Sequence, residues 1–359
     1  MNNLRQQIGQ MLLVGCRGET ISADERLIFE EYSFGGFILF QNNCRAATQV
    51  LSLCRNLWDT ADKMPPFIAI DQEGGRVHRL PQPFTHFPAA ARLGATQNVD
   101  LAHRVGKAMA DELRLTGINL DFAPVLDVNA NPLNPVIGDR AFSAAATSVS
   151  AMSSAWSRGL RAGGIIPCGK HFPGHGDTDK DSHFDLPVVK KSLDELQSVD
   201  LPPFVNACRH GIEALMTAHV LYPALDSKLP ATLSESIVTG LLRHQLGYDG
   251  VVFSDDMEMK AVSDRYSPDE AALLAVRAGV DVLLFCHDLE NAIRAFEQLC
   301  SEAEKDPVVR ARIEASNRRI GRLKQEYLTW FSGVTEGELE NRLRLLDHCR
   351  LVDEIHGSL

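Results

Sequence analysis

Apolar and polar positions follow a repeating order along the chain. Short runs rich in β-branched and aliphatic residues recur at Met11–Gly15, Gly36–Phe40, Phe67–Ile70, Ile118–Phe122, Gly164–Cys168, Ala214–Thr217, Gly250–Phe253 and Val280–Phe285, with helical patterns between them. Runs that are apolar throughout, not alternating, belong to strands buried on both faces, as in a parallel sheet covered by helices. Eight such units spread over about 300 residues predict an α/β fold, a single TIM-like (β/α)8 barrel, in preference to an open doubly wound sheet. No GxGxxG follows an early strand, which removes the main support for a dinucleotide-binding fold. Beyond the eighth run, Asp306–Tyr327 and Glu336–Ile355 read as charged amphipathic helices. The expectation is one catalytic barrel domain over residues 1–359, with a C-terminal helical extension from about residue 325.

Charged groups cluster directly after the apolar runs. Asp71-Gln72-Glu73-Gly74-Gly75-Arg76 follows the third, His219 the sixth, Asp255-Asp256 the seventh and His287-Asp288 the eighth. The fifth is followed by the densest segment, Lys170 to His183, which holds three histidines, three aspartates and two lysines around Pro173, Gly174 and Gly176. It reads as a long loop leaving a strand, since no helix interior tolerates that composition. In a barrel all these points converge on the face at the carboxyl ends of the strands, where active sites lie.

The residue types narrow the chemistry. A carboxylate at the end of a buried strand is a nucleophile, a metal ligand or a helix cap. Of Asp255 and Asp256, one can fill the structural role while the other, for which Asp255 is the choice, points into the site. In Asp181-Ser182-His183 the spacing lets Asp181 orient and polarise His183, as general acid/base histidines require. Arg79, Arg140 and Lys170 are candidates for gripping a polar ligand, with barrel-rim salt bridges as the structural alternative for the arginines. Asp71 divides in the same way, whereas Glu73 is assigned to structure and His175 to bonds within its own loop. His171, His175, Asp177, Asp181 and His183 contain enough nitrogen and oxygen donors for zinc, but Lys170 beside them opposes a cation.

Composition sets limits. The chain has 359 residues, 45% of them hydrophobic, and a net charge of −11 with no basic block. Nucleic acid and anionic membranes are therefore not expected as partners. Eight scattered cysteines without CxxC spacing read as reduced core residues of a cytoplasmic protein. Leu13-Val14-Gly15-Cys16 resembles a lipoprotein cleavage box, but the preceding segment is too polar and too short for a signal core, and a buried first strand accounts for it equally well.

Lys170-His171-Phe172-Pro173-Gly174-His175-Gly176, with Asp177-Thr178, Asp181-Ser182-His183 and Leu186-Pro187, closely resembles a signature of glycoside hydrolase family 3, in its β-N-acetylglucosaminidase branch. Ile70–Val77, Ile137-Gly138-Asp139-Arg140-Ala141-Phe142 and Phe253-Ser254-Asp255-Asp256-Met257 match further blocks in the expected order, and the likeness spans Leu4 to Lys324. The resemblance implies a retaining exo-glycosidase that needs neither metal nor cofactor and removes terminal β-linked N-acetylglucosamine. It implies Asp255 as nucleophile, His183 with Asp181 as the acid/base dyad, and Asp71, Arg79, Arg140, Lys170 and His171 as sugar-binding residues. The implied substrates are N-acetylglucosaminyl-anhydro-muramyl sugars or muropeptides, handled in the cytoplasm during cell-wall recycling. A β-N-acetylglucosaminide phosphorylase, a metal-dependent barrel hydrolase and a sugar-binding barrel without activity are the competing readings. The larger β-glucosidases of the family take an acid from a second domain, whereas here the acid is expected from the barrel itself.

Overall fold

A computed structural model describes residues 3–61, 63–178, 181–182, 185–345 and 348–358. Eight parallel strands close into a barrel in chain order. They are β1 (Leu12–Gly15), β2 (Gly36–Leu39), β3 (Phe67–Ile70), β4 (Leu120–Asp121), β5 (Ile166–Phe172), β6 (Ala214–Thr217), β7 (Val251–Asp256) and β8 (Val282–Phe285). β8 returns to β1, pairing Leu13 with Leu284. Every residue of β1 to β6 and of β8 is buried, as expected of strands that face side chains within and helices without. Phe67, Phe122 and Phe253 fill the interior, the Phe253 ring centroid lying 5.8 Å from that of Phe67 and 5.5 Å from that of Phe122. The barrel is thus a packed core with its polar groups displaced to its ends.

The outer layer includes α1 (Ala47–Trp58), α2 (Val99–Thr116), α3 (Ala146–Ala162), α4 (Pro268–Ala278), α5 (Leu289–Lys305) and α6 (Pro307–Tyr327). α2 shows how sequence sets such a helix. Asn98 caps its start by accepting from Leu101 N, and Gly117 ends it at φ +91°, a conformation that favours glycine. Glu336–Ile355, read as one helix, is instead two, α7 (Glu336–Leu345) and α8 (Cys349–Gly357). His348 lies between them and its imidazole turns inward onto Glu112 of α2, a contact that periodicity alone does not reveal.

Two strands run further than their apolar runs suggested. β5 continues through Lys170, His171 and Phe172, and β7 through Asp255 and Asp256. In both, the register shifts near the carboxyl end, between Gly169 and Phe172 and between Phe253 and Asp256. Side chains alternate across a regular strand, so such irregularities re-aim neighbours that would otherwise diverge. As a result Lys170 and His171, like Asp255 and Asp256, line one cavity together.

Candidate active site

That cavity, of about 290 Å³, opens at the carboxyl ends of the strands. Asp71, Glu73 and Arg79 reach it after β3, Arg140 after β4, Lys170 and His171 from β5, Asp181 from the following loop and Asp255 from β7. Every sequence-predicted site residue that the structure describes therefore meets in one place. His183 lies outside the described residues.

One wall is a network of buried charges. Lys170 Nζ donates to Asp71 Oδ1 at 2.6 Å and lies 2.6 Å from Glu73 Oε1. Arg140 engages the same Glu73 through two bonds of 2.8 Å, from Nε and Nη2. The Glu73 carboxylate thus joins the two cations. Burial opposes its ionisation, but Arg140 and Lys170 outweigh that and hold it well below the usual carboxylate range. Burial likewise opposes the Lys170 ammonium, and Asp71 with Glu73 reverses the effect, raising its pKa above the ordinary lysine value. Beneath them Asp121 is fully buried, and desolvation holds its pKa well above the usual carboxylate value.

Asp127 is the residue the sequence reading missed. Its Oδ2 accepts from His171 Nδ1 at 2.7 Å, and its Oδ1 accepts from the backbone N–H groups of His171 (3.2 Å) and His175 (2.6 Å). It fixes the tautomer and orientation of His171, as second carboxylates do for functional imidazoles. The rule applied to the other strands, a carboxylate following an apolar run, also fits Val125-Leu126-Asp127-Val128. His175 bonds Thr178 and Ser182 within its own loop, and burial with His171 lowers its pKa to about 4.

The opposite wall carries the adjacent aspartates. Asp256 Oδ1 accepts from Glu258 N (3.1 Å) and Cys286 N (3.3 Å), and its Oδ2 is 3.3 Å from His287 Nε2. Its carbonyl accepts from His219 Nε2 at 2.9 Å. Asp256 is thus occupied as a local staple at the end of β7, and its own N–H donates to Asp255 Oδ1 at 2.8 Å. His219 serves the strand end and is not part of the cavity lining. Among the described residues, no group of three or more His, Cys, Asp or Glu is arranged to hold a metal ion.

The arrangement suits a neutral, hydroxyl-rich ligand: one wall supplies fixed donors and acceptors, the other a carboxylate at the strand end. Comparison with known proteins agrees. The family model for the glycosyl hydrolase family 3 N terminal domain matches residues 3–323. Beta-hexosaminidase A of Pseudoalteromonas piscicida is 40% identical over 337 residues, 86% of this chain; the chain spans only 56% of that relative's length. A family 3 beta-N-acetylglucosaminidase from a Paenibacillus strain superposes with a TM-score of 0.91 at 40% identity, covering 100% of this chain and 69% of that one. NagZ of Neisseria gonorrhoeae, solved with N-trifluoroacetyl-D-glucosamine, gives a TM-score of 0.75 at 31% identity, over 95% and 98% of the two chains. With strand order, cavity and sequence in agreement, the chain belongs to glycosyl hydrolase family 3, as a glycoside hydrolase of its β-N-acetylglucosaminidase branch.

Proposed function

We propose that this chain is a retaining exo-β-N-acetylglucosaminidase and that the cavity holds the terminal sugar. The observation that carries the reading is the sharing of one cavity by Asp255, Asp181 and the buried Asp71–Glu73–Arg140–Lys170 network. Asp71, Arg79, Arg140, Lys170 and His171 hold the sugar, and Asp255 attacks its anomeric carbon. His183, oriented by Asp181, gives its proton to the leaving oxygen. The same imidazole, now neutral, takes a proton from the water that opens the glycosyl-enzyme. A histidine suits both steps because a reference pKa of ~6.5 keeps both forms accessible near neutral pH.

The proposed substrates are N-acetylglucosaminyl-anhydro-muramyl fragments of peptidoglycan. All eight cysteines are unpaired, which supports a reducing, cytoplasmic setting. Among the described residues no helix is long and apolar enough to cross a membrane. We take the barrel and its C-terminal helices as one catalytic domain.

The test is His183→Ala assayed with two leaving groups. Departure of 4-nitrophenolate needs little protonation, so the first step survives better with it than with a sugar alcohol, whose loss is expected to be roughly 10²–10⁴-fold. The glycosyl-enzyme then accumulates, and azide speeds its release. Equal losses for both leaving groups, without azide rescue, would remove the dyad from the mechanism. Adding phosphate to the wild-type assay separates hydrolysis from phosphorolysis, because only the latter yields a sugar 1-phosphate.

A further inference from the structure

The family match ends at residue 323, yet a residue well beyond it reaches the scaffold of the site. His348 Nδ1 lies 2.8 Å from Glu112 Oε1 of α2. Glu112 is only 4% exposed, and its carboxylate also accepts from Thr85 Oγ1 at 2.6 Å and Thr85 N at 2.8 Å. Phe87 adds a ring contact to His348 at 6.4 Å. A buried carboxylate must find partners, so these bonds fix the start of the 85–89 segment against α2 and the C-terminal helices.

That segment is in turn the backing of the loop after β3. Gly75 N donates to Phe87 O at 2.8 Å. A Cβ on Gly74 would stand 2.7 Å from Pro88 O, and one on Gly75 2.6 Å from the Ala89 Cβ, so only glycines allow the approach. His86 Nε2 donates to Gly75 O at 2.7 Å, and its ring stacks on His78 at 4.3 Å. Burial, aided by His86, lowers the His78 pKa to about 4, so its neutral Nδ1 accepts from Gln72 Nε2 at 2.8 Å. Gln72 Oε1 accepts from Arg79 N at 2.8 Å. Hydrogen bonds and packed rings thus run unbroken from the C-terminal segment to the loop that presents Glu73 and Arg79 to the cavity.

We infer that His348 is a positioning residue, holding the sugar-binding loop in place through Glu112 and the 85–89 segment. The inference rests on the reading of that loop as sugar-binding. A chain of contacts amounts to coupling only if disturbing one end moves the other. Loop residues hold the sugar in the ground state and the transition state alike, so loosening them raises KM more than it lowers kcat.

The experiment compares wild type, His348→Ala, His348→Phe and His348→Gln in the full chain. Hydrolysis of 4-nitrophenyl N-acetyl-β-glucosaminide gives KM and kcat separately, and hydrogen exchange reports backbone opening of residues 72–87. Expected for Ala is a KM raised roughly three- to tenfold, the range of coupling through packed networks, with kcat within about twofold and faster exchange confined to 72–87. Phe keeps the ring beside Phe87 but loses the nitrogen, so it shows the same defect even if Ala fails to fold. Gln, whose amide offers a donor to the same carboxylate, restores KM. Unchanged KM and exchange in the Phe variant, or exchange quickened throughout the protein without a KM effect, overturns the inference. Exchange is read without substrate, so an inactive wild type would refute the glycosidase reading while the brace is still judged.

Discussion

Two buried lysines sit at opposite ends of the barrel and meet opposite surroundings. Lys170, at the carboxyl end of β5, touches two carboxylates, Asp71 and Glu73. Lys324, on α6 beneath the amino ends of the strands, donates to Gln10 Oε1 at 2.8 Å and Gly35 O at 2.7 Å, with its Nζ 4.5 Å from the Phe67 ring centre. Both are nearly inaccessible, at 2% and 1% exposure. Carboxylates raise the pKa of the first, whereas burial pushes the second down to about 7. Burial alone therefore does not decide the state of a lysine. The face that carries the candidate site keeps its cation charged with counter-ions, and the opposite face meets its cation with neutral acceptors.

The largest effect belongs to the substrate face. Asp255→Asn is expected to lower kcat by at least on the order of 10⁴-fold with folding intact, the scale on which loss of a residue acting in a catalytic unit is felt. Asp256→Asn, which alters the staple rather than the proposed nucleophile, should cost far less. If the two variants fell by the same factor, or Asp256→Asn by more, the roles assigned along β7 would be reversed.

Next comes the charged wall. Lys170→Met strands Asp71 and Glu73 beside Arg140 alone, and breaking a buried pair typically costs ~3–5 kcal/mol. Urea unfolding should register that loss together with loss of affinity for N-acetylglucosamine. The intact wall should also be insensitive to pH near neutrality. The folded pKa of Glu73 is depressed, so its contribution is present above ~4.3 and lost only as pH falls through the folded value. That of Lys170 is raised, so its contribution is present below ~10.4 and lost only as pH rises through the folded value. Affinity for the sugar should then stay flat between about pH 5 and pH 9 while kcat follows the acid/base group. A steep fall in affinity inside that window would mean that the wall titrates.

Legibility from sequence follows the same division. Phe67–Ile70 and Ala214–Thr217 coincide with β3 and β6, because each is an apolar run bounded by residues that leave the barrel. The fifth apolar run ends at Cys168, and Lys170 and His171 look like loop residues. They belong to β5 because Asp71, Glu73 and Asp127 meet them from other strand ends. Periodicity reports burial, and it misjudges a charged residue whose partner is distant in sequence. The same blindness hid Asp127 and the break at His348, each explained by one long-range contact. The glycine pairs and strand-end carboxylates were legible because they respond to local backbone and to chain order.

The smallest effect tests the lower face. Lys324→Met removes the buried amine while keeping an unbranched chain of similar length. It takes the Lys324 donor from Gln10 Oε1, while Gly35 O keeps the Phe67 N–H, a cost of at most about 1–3 kcal/mol, and it relieves the burial of a charge that lacks a counter-ion. These terms oppose each other, so the net change at one pH is uninformative, but its pH dependence is not. With a folded pKa near 7 and an unfolded value of ~10.4, the unfolded chain binds more protons across that interval. Wild-type stability should therefore gain from this group as pH rises from 7 towards 10, by at most ~1.4 kcal/mol per unit. The ring and the two acceptors favour the charged form and reduce that slope. Thiols titrate here in the unfolded chain, while burial holds them up in the folded one, but they are common to both proteins and cancel in the difference. Urea unfolding of wild type and Lys324→Met at pH 7, 8 and 9 should thus give curves that diverge in favour of the wild type. Parallel curves would show that Lys324 stays fully charged without a carboxylate, and the contrast between the two ends of the barrel would then rest on geometry alone.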